Sequence, residues 1–169
     1  MPHGTCDPTK DLGATMRLLN AVLEKSTTRI QHIDTQINVL VGLSSALFVF
    51  SASQALATGY FFFLALALTG ASAALLALFA IHPPRIMRKR GQTESLFYNR
   101  TIESFPSAQA YAQHLQKLVG QSTALVEEYA REAYNLSKFY YRPKRELFRA
   151  SRNVLLLGIV ASCILFVWE

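Results

Sequence analysis

Two groups of side chains in this 169-residue sequence are placed to act on something. One is a set of cations among aromatics: Arg100, Lys138, Arg142, Lys144 and Arg145, with Tyr98, Tyr134 and Tyr141. Guanidinium and ammonium groups hold phosphates and tyrosine rings stack on bases, so the set fits the phosphates or bases of a nucleotide. The same tyrosines recur at helical spacing, which equally fits packing against a neighbouring helix. The other group is Asp34, Asn38, Gly42 and Ser45, within about 80° of one another on a helix of 3.6 residues per turn. It runs into an otherwise apolar segment. Polar groups at membrane depth are costly and face either another helix or water. The stripe therefore reads as a packing surface or as a pore lining, and in a symmetric oligomer it is both.

Catalysis is not expected. The sequence has no HExxH, CxxC or GxSxG and no glycine-rich phosphate loop, and His3, His32, His82 and His114 stand apart. Glu127 with Glu128 reads as a solvated helix face. Cys6 and Cys163 sit at opposite ends with no metal-ligand neighbours, which excludes a disulfide scaffold and a cysteine zinc site. No cofactor is implied.

The elements that position these groups follow from composition. The chain is 51% hydrophobic and only 17% charged, against about 25% charged in an ordinary soluble domain. Two stretches, 37–57 and 61–81, are each 21 residues without a charge, enough to cross about 30 Å of hydrocarbon. They are joined by Thr58, Gly59 and Tyr60, a tight turn. A third apolar stretch, 154–168, is short. It spans by tilting, or by including residues 148–153 with Arg149 and Arg152 reaching back to the headgroups. The second stretch looks lipid-facing, with Gly70, Ala73, Ala74 and Ala77 as a packing groove. The fold class is thus an all-α membrane protein of three transmembrane helices with long cytoplasmic helical extensions.

Four segments result: a cytoplasmic amphipathic helix over 1–36, a transmembrane hairpin over 37–81, a basic cytoplasmic helical region over 82–153, and the third span over 154–169. Residues 82–153 carry 13 Lys and Arg against 6 Glu, whereas the first 36 residues are balanced at four of each sign. The positive-inside rule then puts the N-terminus and 82–153 in the cytoplasm, and three spans put the C-terminus on the outer side of the membrane. Arg85–Arg90 and Arg149–Arg152 are read as topology and headgroup residues. Leu12, Met16, Leu19, Leu23, Ile30, Ile33, Ile37 and Leu40 follow steps of three and four, Ser26 filling the one gap, in a helix that enters the first span unbroken. Pro83 and Pro84 stop the second helix, and Gly91 is a further break. Ser107 reads as the N-cap of a helix over about 108–141, bent at Gly120, with Pro143 marking a kink after it. Two amphipathic helices of this kind cannot bury their faces alone, so a homo-oligomer in the lipid bilayer is expected, with a tetramer favoured.

The motifs "HIDTQINVL", "AIHPPRI", "ESLFYNRTIESFPSAQAYAQHL" and "EYAREAYNLSKFYYRPKRELFRAS" resemble, in order and spacing, those of the Pycsar-type transmembrane effectors over roughly residues 29–160. Lys144 matches the family's lysine before the last span; Gln36 stands where the family often has lysine. The resemblance implies antiphage defence by a membrane effector. It would answer to a nucleotide or short oligonucleotide made by a partner nucleotidyltransferase or cyclase, the ligand either opening the effector or holding it closed. An oligomeric ion channel or pore is the leading expectation. A membrane-disrupting toxin restrained by a protein antidote, and a non-conducting scaffold, are the alternatives.

Overall fold

The computed structural model describes residues 8–84 and 94–168, and among these there are helices and turns but no strands. The helices are α1 (Pro8–Thr58), α2 (Phe61–Ile81), α3 (Asn99–Glu103), α4 (Ala108–Val119), α5 (Ser122–Asn135) and α6 (Arg142–Trp168), with a π-helical turn over Leu136–Tyr141 between α5 and α6. Three helical stretches are long and apolar enough to cross a membrane. The chain divides into two compact units, Ile30–Lys89 with Phe139–Glu169, and Met1–Arg29 with Arg90–Lys138.

The first of these is a bundle of the C-terminal part of α1 with α2 and α6. Its core joins Ile33, Ile37 and Leu40 of α1, Ala73, Ala77 and Ala80 of α2, and Leu155 of α6. The small-residue row of α2 decides how it packs. Ala67, Gly70, Ala73, Ala74, Ala77 and Ala80 are all buried, so backbones approach closely on this side. A Cβ on Gly70 would lie 2.9 Å from the Phe48 amide nitrogen and 3.0 Å from the Ser44 carbonyl oxygen. Close packing recurs against α6, where Thr69 sits over Gly158 and the buried Ser151 hydroxyl donates to the Ala73 carbonyl at 2.7 Å. α2 is thus the shared partner of α1 and α6, with its Leu64, Leu68, Leu75, Leu78 and Phe79 left exposed. At the α1–α2 turn the Gly59 N–H donates to the Ala55 carbonyl at 3.0 Å. Gly59 takes φ +74°, the left-handed conformation in which glycine ends a helix without steric cost.

The third apolar stretch, 154–168, is the C-terminal part of a longer helix. α6 starts at Arg142 and runs 27 residues, about 40 Å at 1.5 Å per residue. Pro143 follows directly on the π-helical turn that leads from α5 into α6, so the ladder is irregular where its missing N–H falls, as a proline inside a continuing helix requires.

In the other unit the N-terminal part of α1 keeps Met16, Leu19, Leu23 and Ser26 half-buried, while Leu18 and Val22 are exposed. Ser107 caps α4, its hydroxyl accepting from the Ala110 N–H at 3.2 Å. The expected single helix over 108–141 is divided. α4 ends at Val119, α5 begins at Ser122, and Gln121 leaves the helical region with φ −121° and ψ 87°. Gly120, the poorest helix former of the stretch apart from proline, lets the chain break there completely.

Candidate functional site

The polar stripe of α1 emerges as a surface. Asn38, Gly42 and Ser45 are exposed on the bundle, and a Cβ added at Gly42 would meet nothing within 4 Å. Ser45 and Gly42 lie about 20 and 24 Å along the helix from Thr58, and Asn38 about 30 Å. All three therefore fall within or at the edge of a hydrocarbon layer of about 30 Å. Ser44 and Ser51 belong elsewhere: both are fully buried on the face turned to the bundle core, their hydroxyls without a partner in the protomer. In the sequence both lie beside the stripe and extend its polarity. Burial separates them from it.

Asp34, the fourth member of the stripe, is committed. Its Oδ1 accepts from Lys144 Nζ at 2.6 Å. The lysine is only 13% exposed and the aspartate 40%. Lys144 was expected to hold phosphates and Asp34 to line a path, so the pair joins one residue from each candidate set. Its only signal in the sequence is that Asp34 is the last charge before the two uncharged stretches, the next being Arg85.

The remaining cations pair locally. Arg142 Nε donates to Glu146 Oε1 at 2.8 Å, both side chains well exposed. The Arg145 guanidinium carbon lies 6.0 Å from the centre of the Tyr141 ring, a cation–π contact. Lys138 donates to the Tyr134 hydroxyl, with its nitrogen 4.8 Å from that ring's centre. Tyr98 is half-buried before α3, and its carbonyl accepts from the Ile102 N–H at 3.0 Å. Arg100 lies in α3, its side chain outside the described residues, as are Arg85, Arg88, Lys89, Arg90 and Gly91. Within the units the structure brings together Tyr134 with Lys138, and Tyr141 with Arg145. Tyr98, Arg100, Tyr134 and Lys138 belong to one unit, and Tyr141, Arg142, Lys144 and Arg145 to the other.

A tether that sequence reading missed holds the segment before α3. Glu128 of α5, expected on a solvated face, is 8% exposed. Its Oε2 accepts from the Leu96 N–H at 3.0 Å, and its Oε1 pairs with Arg131. Ser95, fully buried, donates to Glu132, and the Tyr111 hydroxyl donates to the Leu96 carbonyl at 3.4 Å. The Phe97 and Tyr129 ring centres are 4.8 Å apart. Glu127 alone of the two neighbouring carboxylates is exposed, because one turn of helix sends consecutive side chains about 100° apart. Among the described residues no three His, Cys, Asp or Glu side chains converge as a metal site would require.

A family model described as the Pycsar effector protein domain matches residues 18–168. No curated protein and no solved structure matches the chain.

Proposed function

The chain belongs to the Pycsar effector family, a family of antiphage membrane effectors, and from this we propose that it assembles into an ion channel or pore in the bacterial inner membrane under the control of a nucleotide. The action is not catalytic. Several copies, with four favoured, place the α1 stripes around a common axis, so that Asn38, Gly42 and Ser45 face water and each other in place of lipid. A partner nucleotidyltransferase or cyclase supplies the nucleotide or short oligonucleotide. The basic region 82–153 and the N-terminus lie in the cytoplasm, where that product is made, and the C-terminus in the periplasm. Arg100, Lys138, Arg142, Lys144 and Arg145 hold its phosphates, and Tyr98, Tyr134 or Tyr141 stacks its base.

The observation that carries this reading is the outward stripe. An amide, an unshielded backbone at Gly42 and a hydroxyl occupy one exposed face of a helix whose other exposed side chains between them, Val39 and Leu43, are apolar. Such groups are expensive against hydrocarbon and are met where a helix faces a partner or a water-filled path. Gating requires only that the ligand bind one arrangement of the helices more tightly than the other.

The test is electrical. Purified protein in planar bilayers passes current whose size or ion preference changes on Asn38→Leu or Ser45→Leu, and a nucleotide from the partner enzyme raises or lowers it. Bilayers that stay silent with and without every nucleotide tried would exclude a channel.

A further inference from the structure

α6 carries a second stripe, of which the channel reading uses only Arg145. Arg145, Arg149, Arg152, Leu156, Ile159 and Cys163 succeed one another in steps of four and three residues, and all six are exposed. They lie along one flank of the helix, away from the row of Ser151, Leu155 and Ser162 that is buried in the bundle. The flank is cationic for two turns and then apolar to the far end of the helix. Nothing in the described part of the bundle neutralises it. The two described carboxylates of this unit are taken, Asp34 by Lys144 and Glu146 by Arg142. Among the described residues Arg152 donates to the Asn153 side-chain oxygen, a neutral group, at 3.3 Å.

Depth sharpens the problem. Trp168 and Tyr60 are both exposed at the ends of their helices, and Phe166 of α6 stacks edge-on against Phe62 of α2, ring centres 4.9 Å apart. Amphipathic aromatics of this kind mark a membrane–water boundary. Arg152 lies about 24 Å along α6 from Trp168, and Arg149 about 28 Å. Both backbones thus sit inside a hydrocarbon layer of about 30 Å, close to its other boundary. Guanidinium groups so placed extend towards that boundary and meet what is there, the phosphates of one leaflet. Apolar side chains below them run parallel to an acyl chain.

We propose that this flank is a binding site for an anionic glycerophospholipid, its phosphate held by Arg149 and Arg152 with Arg145 beside them, and one acyl chain laid along Leu156, Ile159 and Cys163. A second copy of this chain is a poor occupant, since an isologous contact would set three arginines against three others, and in a heterologous one the bundle's two described carboxylates are already paired. A free phosphate would engage the guanidinium groups but leave the apolar half of the stripe unused. The two-part character of the flank selects a molecule with both parts.

The full chain, purified and reconstituted in nanodiscs, reports on this directly. Its thermal midpoint is compared in phosphatidylcholine alone and with one-fifth phosphatidylglycerol, and retained lipid is counted by native mass spectrometry. Phosphatidylglycerol raises the midpoint of the wild type and is retained in preference to phosphatidylcholine. R149Q/R152Q loses the preference, by about fivefold for each arginine removed. R149K/R152K keeps most of it, because an ammonium also holds a phosphate, and R17Q/R29Q, an equal charge change on exposed residues of the other unit, leaves it unchanged. The proposal is overturned if R149Q/R152Q keeps the wild-type preference, if R17Q/R29Q abolishes it equally, or if inorganic phosphate with phosphatidylcholine discs reproduces the shift. It is overturned as well if R149Q/R152Q alters the oligomeric state in phosphatidylcholine, which would make the flank a contact between copies.

Discussion

Lys144 Nζ stands 2.6 Å from Asp34 Oδ1, joining two helices whose contacting residues are 110 positions apart in the chain. The pair sits at the basic end of the bundle, about 36 Å along α1 from Thr58 and about 36 Å along α6 from Trp168. There α1 and α6 are held by charge, whereas nearer the far end they are held by alanine, glycine and serine packing around α2. With the lysine almost enclosed and the aspartate partly open, the pair is between a surface ion pair and a buried one.

Removing either partner orphans the other: Asp34→Asn leaves a nearly enclosed ammonium uncompensated, and Lys144→Met leaves a partly open carboxylate. Asp34→Asn or Lys144→Met is expected to lower stability by roughly 1–2 kcal/mol, between the values typical of exposed and buried pairs. The double substitution costs less than the sum of the singles, because the second change removes a charge already orphaned. Thermal unfolding in detergent of the four proteins measures the coupling, and strict additivity would show that the contact contributes nothing.

Gly70 and Gly42 make opposite predictions from the same substitution. At Gly70 an added methyl runs into the backbone of Ser44 and Phe48, so Gly70→Ala forces α1 and α2 apart and costs about 1–3 kcal/mol. At Gly42 it meets nothing, so Gly42→Ala does not lower the unfolding midpoint and raises it by the better helix propensity of alanine, about 0.5–1 kcal/mol. If the stripe lines a path between copies, Gly42→Ala nevertheless changes single-channel conductance. Circular dichroism melts and bilayer recordings of the two variants separate these outcomes.

What the sequence made legible were features decided by nearby residues. The first two spans stand out because 21 uncharged residues have few alternatives to a membrane helix. Ser107 was readable as a cap because its partner is three residues away, and the row around Gly70 because small residues at helical spacing form a groove whatever lies in it. What stayed hidden depends on partners brought from afar. Neither Asp34 nor Lys144 carries a mark of the other, and Glu128 looks like any surface carboxylate until Leu96 is placed against it. The π-helical turn over Leu136–Tyr141 has no residue that announces it. Ser44 is buried and its neighbour Ser45 exposed, a difference that only the packing of α2 decides.

Glu128 and Glu132 are expected to fasten the segment before α3. Glu128→Gln weakens the acceptor of the Leu96 N–H and unpairs Arg131, and Glu132→Ala leaves the buried Ser95 hydroxyl without its acceptor. Each is expected to cost about 1–2 kcal/mol, as for hydrogen bonds to charged groups. Limited proteolysis with mapping of the cuts reads the effect locally: cleavage around Glu94–Tyr98 accelerates in both variants, while Glu127→Gln, on the exposed neighbour, cuts at the wild-type rate. Equal rates in all three would mean that the aromatic contact of Phe97 with Tyr129 holds the segment unaided.

Lys144 cannot serve a phosphate and Asp34 fully at the same time, and this gives the proposed ligand role a sign. A phosphate arriving at Lys144 competes with the aspartate, so removing the competitor tightens binding. Asp34→Asn is therefore expected to raise the affinity for a cyclic mononucleotide by several-fold, about one hydrogen bond's worth of free energy, while destabilising the empty protein. Lys144→Gln and Arg145→Gln lower the affinity, and each makes binding less sensitive to salt, since one fewer cation contributes to the attraction. Isothermal titration at two salt concentrations with a panel of cyclic mononucleotides checks all three variants. If Asp34→Asn binds more weakly, as Lys144→Gln does, the pair is a structural clasp that the ligand requires intact, and the phosphates are held by other cations of the set.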